Sequence, residues 1–239
     1  KFLKENIKNN EYHISFNGIG FDSQVTHNIL KYHKEWKDMD PEGITEEIYG
    51  YAQEAIRRSN NREFSEFPEW NMKINQIDVF KLNHWDNMAK RSSLKWIEYT
   101  MDWDNILDMP IHHEADINTQ EELNTIVEYC INDVDATHEI YNRSKDLIAL
   151  RINLTKEYNI NLMNASEPRI SKELFGFYLS KELNMEKREL KKLRTFRKVI
   201  KLEKIILPCV SFATPEFNTL LERFKSVELD PQNIKGSFK

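Results

Sequence analysis

Only two cysteines, Cys130 and Cys209, occur in 239 residues, which excludes a disulfide framework and a cysteine-rich zinc module. No apolar run approaches the roughly 20 residues that cross a bilayer, and no signal-peptide pattern opens the chain. The expectation is therefore a cytoplasmic protein with no membrane partner. Internal repeats and low-complexity tracts are also missing. A net charge of -5 says little about partners, because an enzyme that grips nucleic acid in a local groove can be acidic elsewhere. What is present is 40% hydrophobic and 11% aromatic content, enough for a real core and contrary to disorder. The length suits one large domain, or a domain with an appendage. Lys1 stands where a start methionine would, and Phe2 to Ile7 reads as the middle of a helix. A segment of a longer polypeptide is the expectation.

Periodicity organises the rest. Residues 1–9 read as a helix with Phe2, Leu3 and Ile7 on one side. Residues 12–16 read as a strand ended by Gly18 and Gly20. Residues 24–36 read as a helix with Val25, Ile29, Tyr32 and Trp36 on one face, in a mostly polar stretch holding His27 and His33. Asp38 to Gly43 is a turn signal, and Thr45 is a cap candidate for a helix through Ile48, Ala52 and Ile56. Residues 59–75 read as decoration of the core fold. Residues 77–80 read as a strand, and residues 94–99 as a short helix turning its aromatics inward. Asn118 to Glu122 carries a capping box, Thr119 with Glu122 three residues on. The helix that follows has an apolar face of Leu123, Ile126, Val127, Cys130, Val134, Thr137, Ile140 and Tyr141. Cys130 is thus expected to be buried. Ser166-Glu167-Pro168-Arg169 reads as the start of another helix with Ile170, Leu174, Phe177 and Tyr178, and a last helix falls between Phe212 and Phe224.

Two segments carry chemistry. Asp22 follows the first strand, where glycines let the backbone turn tightly and approach a ligand. Asn17 closes that strand with an amide that can meet a turning backbone or a phosphate. Tyr129 and Asp133 lie four apart on a helix and share a face. Carboxylate oxygens hold divalent cations, and a hydroxyl one turn away can orient the water such a cation activates. Two cations about 3.5–4 Å apart stabilise both the attacking and the departing oxygen in phosphodiester hydrolysis. That chemistry requires several carboxylates close together.

The chain resembles the 3'-5' proofreading exonuclease domain of DNA polymerases, in the DnaQ-like class whose last motif contains tyrosine. Phe16-Asn17-Gly18-Ile19-Gly20-Phe21-Asp22 is similar to the second exonuclease motif, and Glu128 to Thr137, with its Tyr-Cys-x-x-Asp-Val wording, to the third. The resemblance covers roughly residues 1–150. It implies an α/β, ribonuclease H-like exonuclease fold, N-terminally truncated, with a helical C-terminal extension. It implies Asp22 and Asp133 as metal ligands for Mg2+ or Mn2+, two ions in the complete domain. Tyr129 would position the attacking water, and Asn17 and Phe21 would lie near the 3' terminus of single-stranded DNA. The family's first motif, Asp-x-Glu on a strand, has no counterpart before Asn17, so the 239 residues alone are expected to lack activity. Asp38-x-Asp40-x-Glu42 has the spacing but comes too late and sits in a turn. In the family a polymerase region follows in the same polypeptide, and residues 151–239 read as a helical and basic connector toward it. A phage origin, and hence host cytoplasm, fits the motif wording. An RNA-trimming exonuclease of the same fold and a catalytically degenerate DNA-binding scaffold are the other readings.

Other features read more plainly. His112, His113 and Glu114 are loop residues, because adjacent side chains diverge. His138 is a helix-surface or groove residue. Trp85, Trp96 and Trp103 are core. Residues 187–204 hold nine basic residues against Glu189 and Glu203, the best nucleic-acid footprint outside the motifs.

Overall fold

The computed structural model describes residues 1–234 apart from residues 62, 88, 90, 91, 113, 114, 116 and 194. His113 and Glu114 of the histidine cluster, and Arg194 of the basic run, lie outside the described residues. The chain forms two compact units, residues 1–175 and 176–239. The first runs past residue 150, the boundary drawn from the motifs, because the residues after it complete its core. Met163 joins the main apolar cluster, and Leu162, Ala165 and Ile170 form a second one beside Leu154 and Leu174.

The first unit begins with α1 (Phe2–Asn9) and β1 (Tyr12–Ser15). Helices α2 (Asp22–Tyr32) and α3 (Pro41–Asn61) follow, then β2 (Asn75–Asp78). β1 and β2 pair in parallel with Ile14 opposite Ile77, so α2 and α3 form the crossover that a parallel pair requires. Short helices α4 (Val79–Leu82) and α5 (Leu94–Thr100) precede the long α6 (Gln120–Arg143), then α7 (Lys145–Tyr158) and α8 (Glu167–Glu182). The main core gathers Ile77, Val79, Leu82, Ile97, Met101, Ala136 and Ile140, with Phe16 and Trp85 packed against it. Among the described residues no helix is long and apolar enough to cross a membrane.

The second unit holds the end of α8, then β3 (Ile200–Lys201), α9 (Pro215–Lys225) and β4 (Glu228–Leu229). β3 and β4 pair antiparallel, Ile200 opposite Leu229. Of its described apolar side chains only Leu221 is buried.

The capping box forms as read: the Thr119 hydroxyl accepts from the Glu122 N–H at 3.1 Å, and Glu122 accepts from the Thr119 N–H at 2.9 Å. Elsewhere polar contacts override the apolar patterns. α2 buries Ser23, Gln24, His27 and Asn28, whereas Val25, Ile29 and Tyr32 are half-exposed. The reason is that its neighbours on that side are loop backbones needing partners. Gln24 Nε2 donates to the carbonyls of Ile19 and Phe67, and the N–H groups of Lys73 and Ile74 donate to His27 Nε2. Burial holds the His27 imidazole below its ordinary pKa, consistent with the neutral, accepting form. Thr45 is no cap. It lies inside α3 and donates to the Pro41 carbonyl, while Asp40 Oδ1 accepts from the Gly43 N–H at 2.7 Å at the helix start.

The strand read over 77–80 stops at Asp78, whose carboxylate accepts from the N–H groups of Phe80 and Lys81 and so starts α4. In α5 the aromatics face outward: Trp96, 57% exposed, stacks on Tyr99, and Ile97 and Glu98 are the buried residues. Trp85 and Trp103 do pack against the core. The apolar face drawn on α6 is covered only toward its end. Ile140 is buried, but Leu123, Val127, Cys130 and Val134 are exposed and the inward face is Asn132, Ala136 and Ile140.

Candidate functional site

The loop between β1 and α2 is set by one buried carboxylate that the sequence pattern did not single out. Asp78 Oδ1 accepts from the Asn17 N–H at 2.9 Å, and Oδ2 from the Ile19 N–H at 3.1 Å. The left-handed residue of this turn is Asn17, with φ 62°, and neither glycine has positive φ. The glycines serve close approach instead: a Cβ on Gly18 would stand 2.0 Å from Ser15 Oγ. The turn thus delivers Asp22 as the first residue of α2 rather than as a loop residue.

Asp22 and Asp133 line one cleft of about 740 Å³, which runs along β1, α2 and α6. Every residue from Tyr12 to Phe16 lines it, as do Val134, Thr137 and His138. Residues of both parities along a strand can border one cleft when it follows the strand's edge. β2's far edge is closed, since the Asp78 N–H donates to Asn164 Oδ1 at 2.7 Å and Asn164 Nδ2 donates to the Gln76 carbonyl at 2.9 Å. β1 has no second strand partner among the described residues. His138, expected at a groove or helix surface, borders the cleft.

Tyr129 does not line the cleft but stands one turn before Asp133 on α6, close enough for each group to act on the other's proton. Desolvation and the negative charge of Asp133 push the Tyr129 phenol up to about 12. Burial likewise raises the Asp133 carboxyl, against the lowering by the Tyr129 bond and by the Lys95 charge. Asp22, although open to the cleft, is raised by desolvation against a bond from its own N–H. Asn17 and Phe21 border a smaller pocket of about 240 Å³ that shares Phe16 and Asp22 with the cleft. Four of the five expected site residues therefore surround two pockets that meet at Asp22, and Tyr129 stands behind Asp133.

Two residues near Asp133 were missed by sequence reasoning. Lys95 Nζ lies 5.9 Å from the centre of the Tyr129 ring and 2.5 Å from Asp108 Oδ1. Glu98, one turn along α5, is fully buried, and among the described residues neither carboxylate oxygen has a hydrogen-bond partner. Its carboxyl is raised by burial first and by the charge of Asp133 second. The signal was the i, i+3 spacing of Lys95 and Glu98, obscured by the aromatics between and beside them.

A raised pKa means the folded chain holds the proton more tightly than the unfolded one. The ionised form of Glu98 therefore opposes folding, by an amount that is absent below its ordinary pKa and grows as pH rises through the folded value. Glu98→Gln, uncharged throughout, is expected to stabilise the chain at pH 8 by on the order of 1–3 kcal/mol. The advantage should shrink as pH falls toward 4. Denaturant midpoints at the two pH values check this, and a constant difference between variant and parent would contradict it.

Two carboxylates provide oxygen donors for a divalent cation with water completing its shell, but they are too few for two cations and a phosphate. Among the described residues no group of three or more His, Cys, Asp or Glu side chains is arranged to hold a metal. Compared with protein-family models, curated proteins and solved structures, the chain matches none.

Proposed function

We propose that the chain is the larger part of a metal-dependent 3'-5' exonuclease, of the proofreading kind that accompanies a DNA polymerase, with a truncated ribonuclease H-like fold. The observation carrying this reading is the convergence of Asp22 and the Tyr129–Asp133 pair on a cleft along the open edge of β1. Acids raised by desolvation in a cleft are a mark of working groups. When bound, Mg2+ or Mn2+ would activate the attacking water and neutralise charge on the phosphate. Asp22 and Asp133 would hold it, and the Tyr129 hydroxyl would fix the Asp133 carboxylate and orient the water. The pocket bordered by Asn17 and Phe21 is the place for the terminal nucleotide, with the Phe21 ring against the base or sugar. The donors still needed are those of an Asp-x-Glu strand laid against β1, where edge pairing supplies the register.

The test compares the 239-residue chain with a longer polypeptide that carries an apolar Asp-x-Glu strand ahead of Lys1. Each is incubated with Mn2+ and a 5'-labelled single strand of DNA or RNA. Stepwise shortening from the 3' end by the longer form alone, abolished by Asp22→Asn, is the expected result. Digestion of RNA but not DNA would move the reading to an RNA-trimming enzyme. A longer form that leaves both intact would favour the DNA-binding scaffold, the reading that the two-carboxylate donor set also fits.

A further inference from the structure

Charge is divided unevenly between the two units. Residues 176–239 hold fourteen basic and eight acidic residues, a net of +6, so residues 1–175 carry -11 of the chain's -5. A first unit with that balance offers a polyanion no net electrostatic attraction. The second unit has the opposite character, and its basic residues cluster between 187 and 204.

Within that cluster some cations are engaged. Arg188 pairs with Glu186 at 2.6 Å, Lys192 with Glu189 at 3.4 Å and Lys201 with Glu228 across the β3–β4 ladder at 2.7 Å. Exposed pairs of this kind hold their cations weakly. Lys191, Arg197, Lys198 and Lys204 are exposed and, among the described residues, have no hydrogen-bond or ion-pair partner. Phe196, 72% exposed, directly precedes Arg197 and Lys198 in the irregular stretch that leads into β3. A solvated linker needs cations but has no use for an uncovered phenyl ring between them. Phosphates need the cations, and unstacked bases need an aromatic face.

We propose that the exposed side chains between Lys191 and Lys204 form a binding surface for single-stranded nucleic acid, with Lys191, Arg197, Lys198 and Lys204 on phosphates and Phe196 stacked on a base. Such a surface reads no sequence, since backbone contacts and a stacking face serve every base alike. It deepens the nuclease reading by naming how the second unit holds the strand, yet needs neither catalysis nor a metal.

The experiment is fluorescence anisotropy of a labelled 20-nucleotide oligo-dT with the full chain, in EDTA, over a series of salt concentrations. Replacing three exposed cations together, Lys191→Gln, Lys198→Gln and Lys204→Gln, is expected to weaken binding at least tenfold at low salt. The log–log salt slope should fall by about 2, at about 0.7 per phosphate contact on a single strand. Phe196→Ala is expected to weaken binding about fivefold or more with the slope unchanged, the separation that stacking predicts. Circular dichroism confirms folding, and the lysines replaced have no partner to lose. The measurement is made in EDTA and reads binding without cleavage, so a failure of the nuclease reading leaves this result standing. Oligo-dT binding that ignores the triple variant would overturn the proposal. So would a parent chain that binds anionic phosphatidylserine vesicles and not the oligonucleotide.

Discussion

Replacing Asp78 by alanine is expected to cost about 3–5 kcal/mol of folding stability, read as a fall in the denaturant midpoint at unchanged slope. The carboxylate is wholly buried and takes four backbone N–H groups, from Asn17, Ile19, Phe80 and Lys81. A methyl group would leave all four donors without it. The Ile19 and Phe80 donors have a buried bond to lose, and each such orphan costs about 1–3 kcal/mol. Partial relaxation and access to water keep the total below the simple sum. Asp78→Asn keeps one acceptor and turns an amide N–H2 toward donors, so its cost should fall between alanine and the parent. The damage is also local. Without Asp78 the left-handed Asn17 loses its tether, and the turn that starts α2 at Asp22 loosens. An Asp78→Ala chain as stable as the parent would show that β1, rather than this carboxylate, fixes the turn.

How much of this was legible in the sequence depends on which force sets each element. Local signals read well: the Thr119–Glu122 capping box forms, the strand read over 12–16 is found at Tyr12–Ser15, the last helix read between Phe212 and Phe224 is found at Pro215–Lys225, and the chain turns at Gly18. Burial by apolar periodicity read badly on α2 and on the first half of α6. On α2, Gln24 and His27 satisfy loop backbones, a long-range need that no helical window contains. On α6, Val127 and Val134 hold an apolar pattern that no described residue covers, and Val134 borders the cleft. Cys130 is exposed for the same reason. The Tyr129–Asp133 contact was legible because four residues make one turn of a helix. The nearness of Glu98 and Lys95 to Asp133, across 35 and 38 residues, was not. Nor was the role of Asp78, whose carboxylate looks in sequence like any strand-end acid.

Asp133→Asn separates function from stability most cleanly. On the proposed nuclease reading, the exonuclease activity of a chain completed by an Asp-x-Glu strand is expected to fall at least 10³-fold, about 4 kcal/mol of transition-state stabilisation. The amide has one weak oxygen donor where the carboxylate has two charged ones. Stability should hold or rise, because burial penalises the charge of Asp133 and that charge in turn raises Glu98. Asparagine has the shape of aspartate, so the local packing survives. Tyr129→Phe tests the partner with a different readout. The Tyr129 bond lowers the Asp133 carboxyl, so its loss should raise that group further. Activity depends on the carboxylate form, and its acid limb should therefore move to higher pH, alongside a rate loss of about 10²-fold from the misplaced water. A Tyr129→Phe enzyme that is slower at every pH with an unmoved acid limb would mean that the hydroxyl acts on the water alone. An Asp133→Asn enzyme that digests DNA at the parent's rate would remove the carboxylate pair, and the nuclease assignment with it.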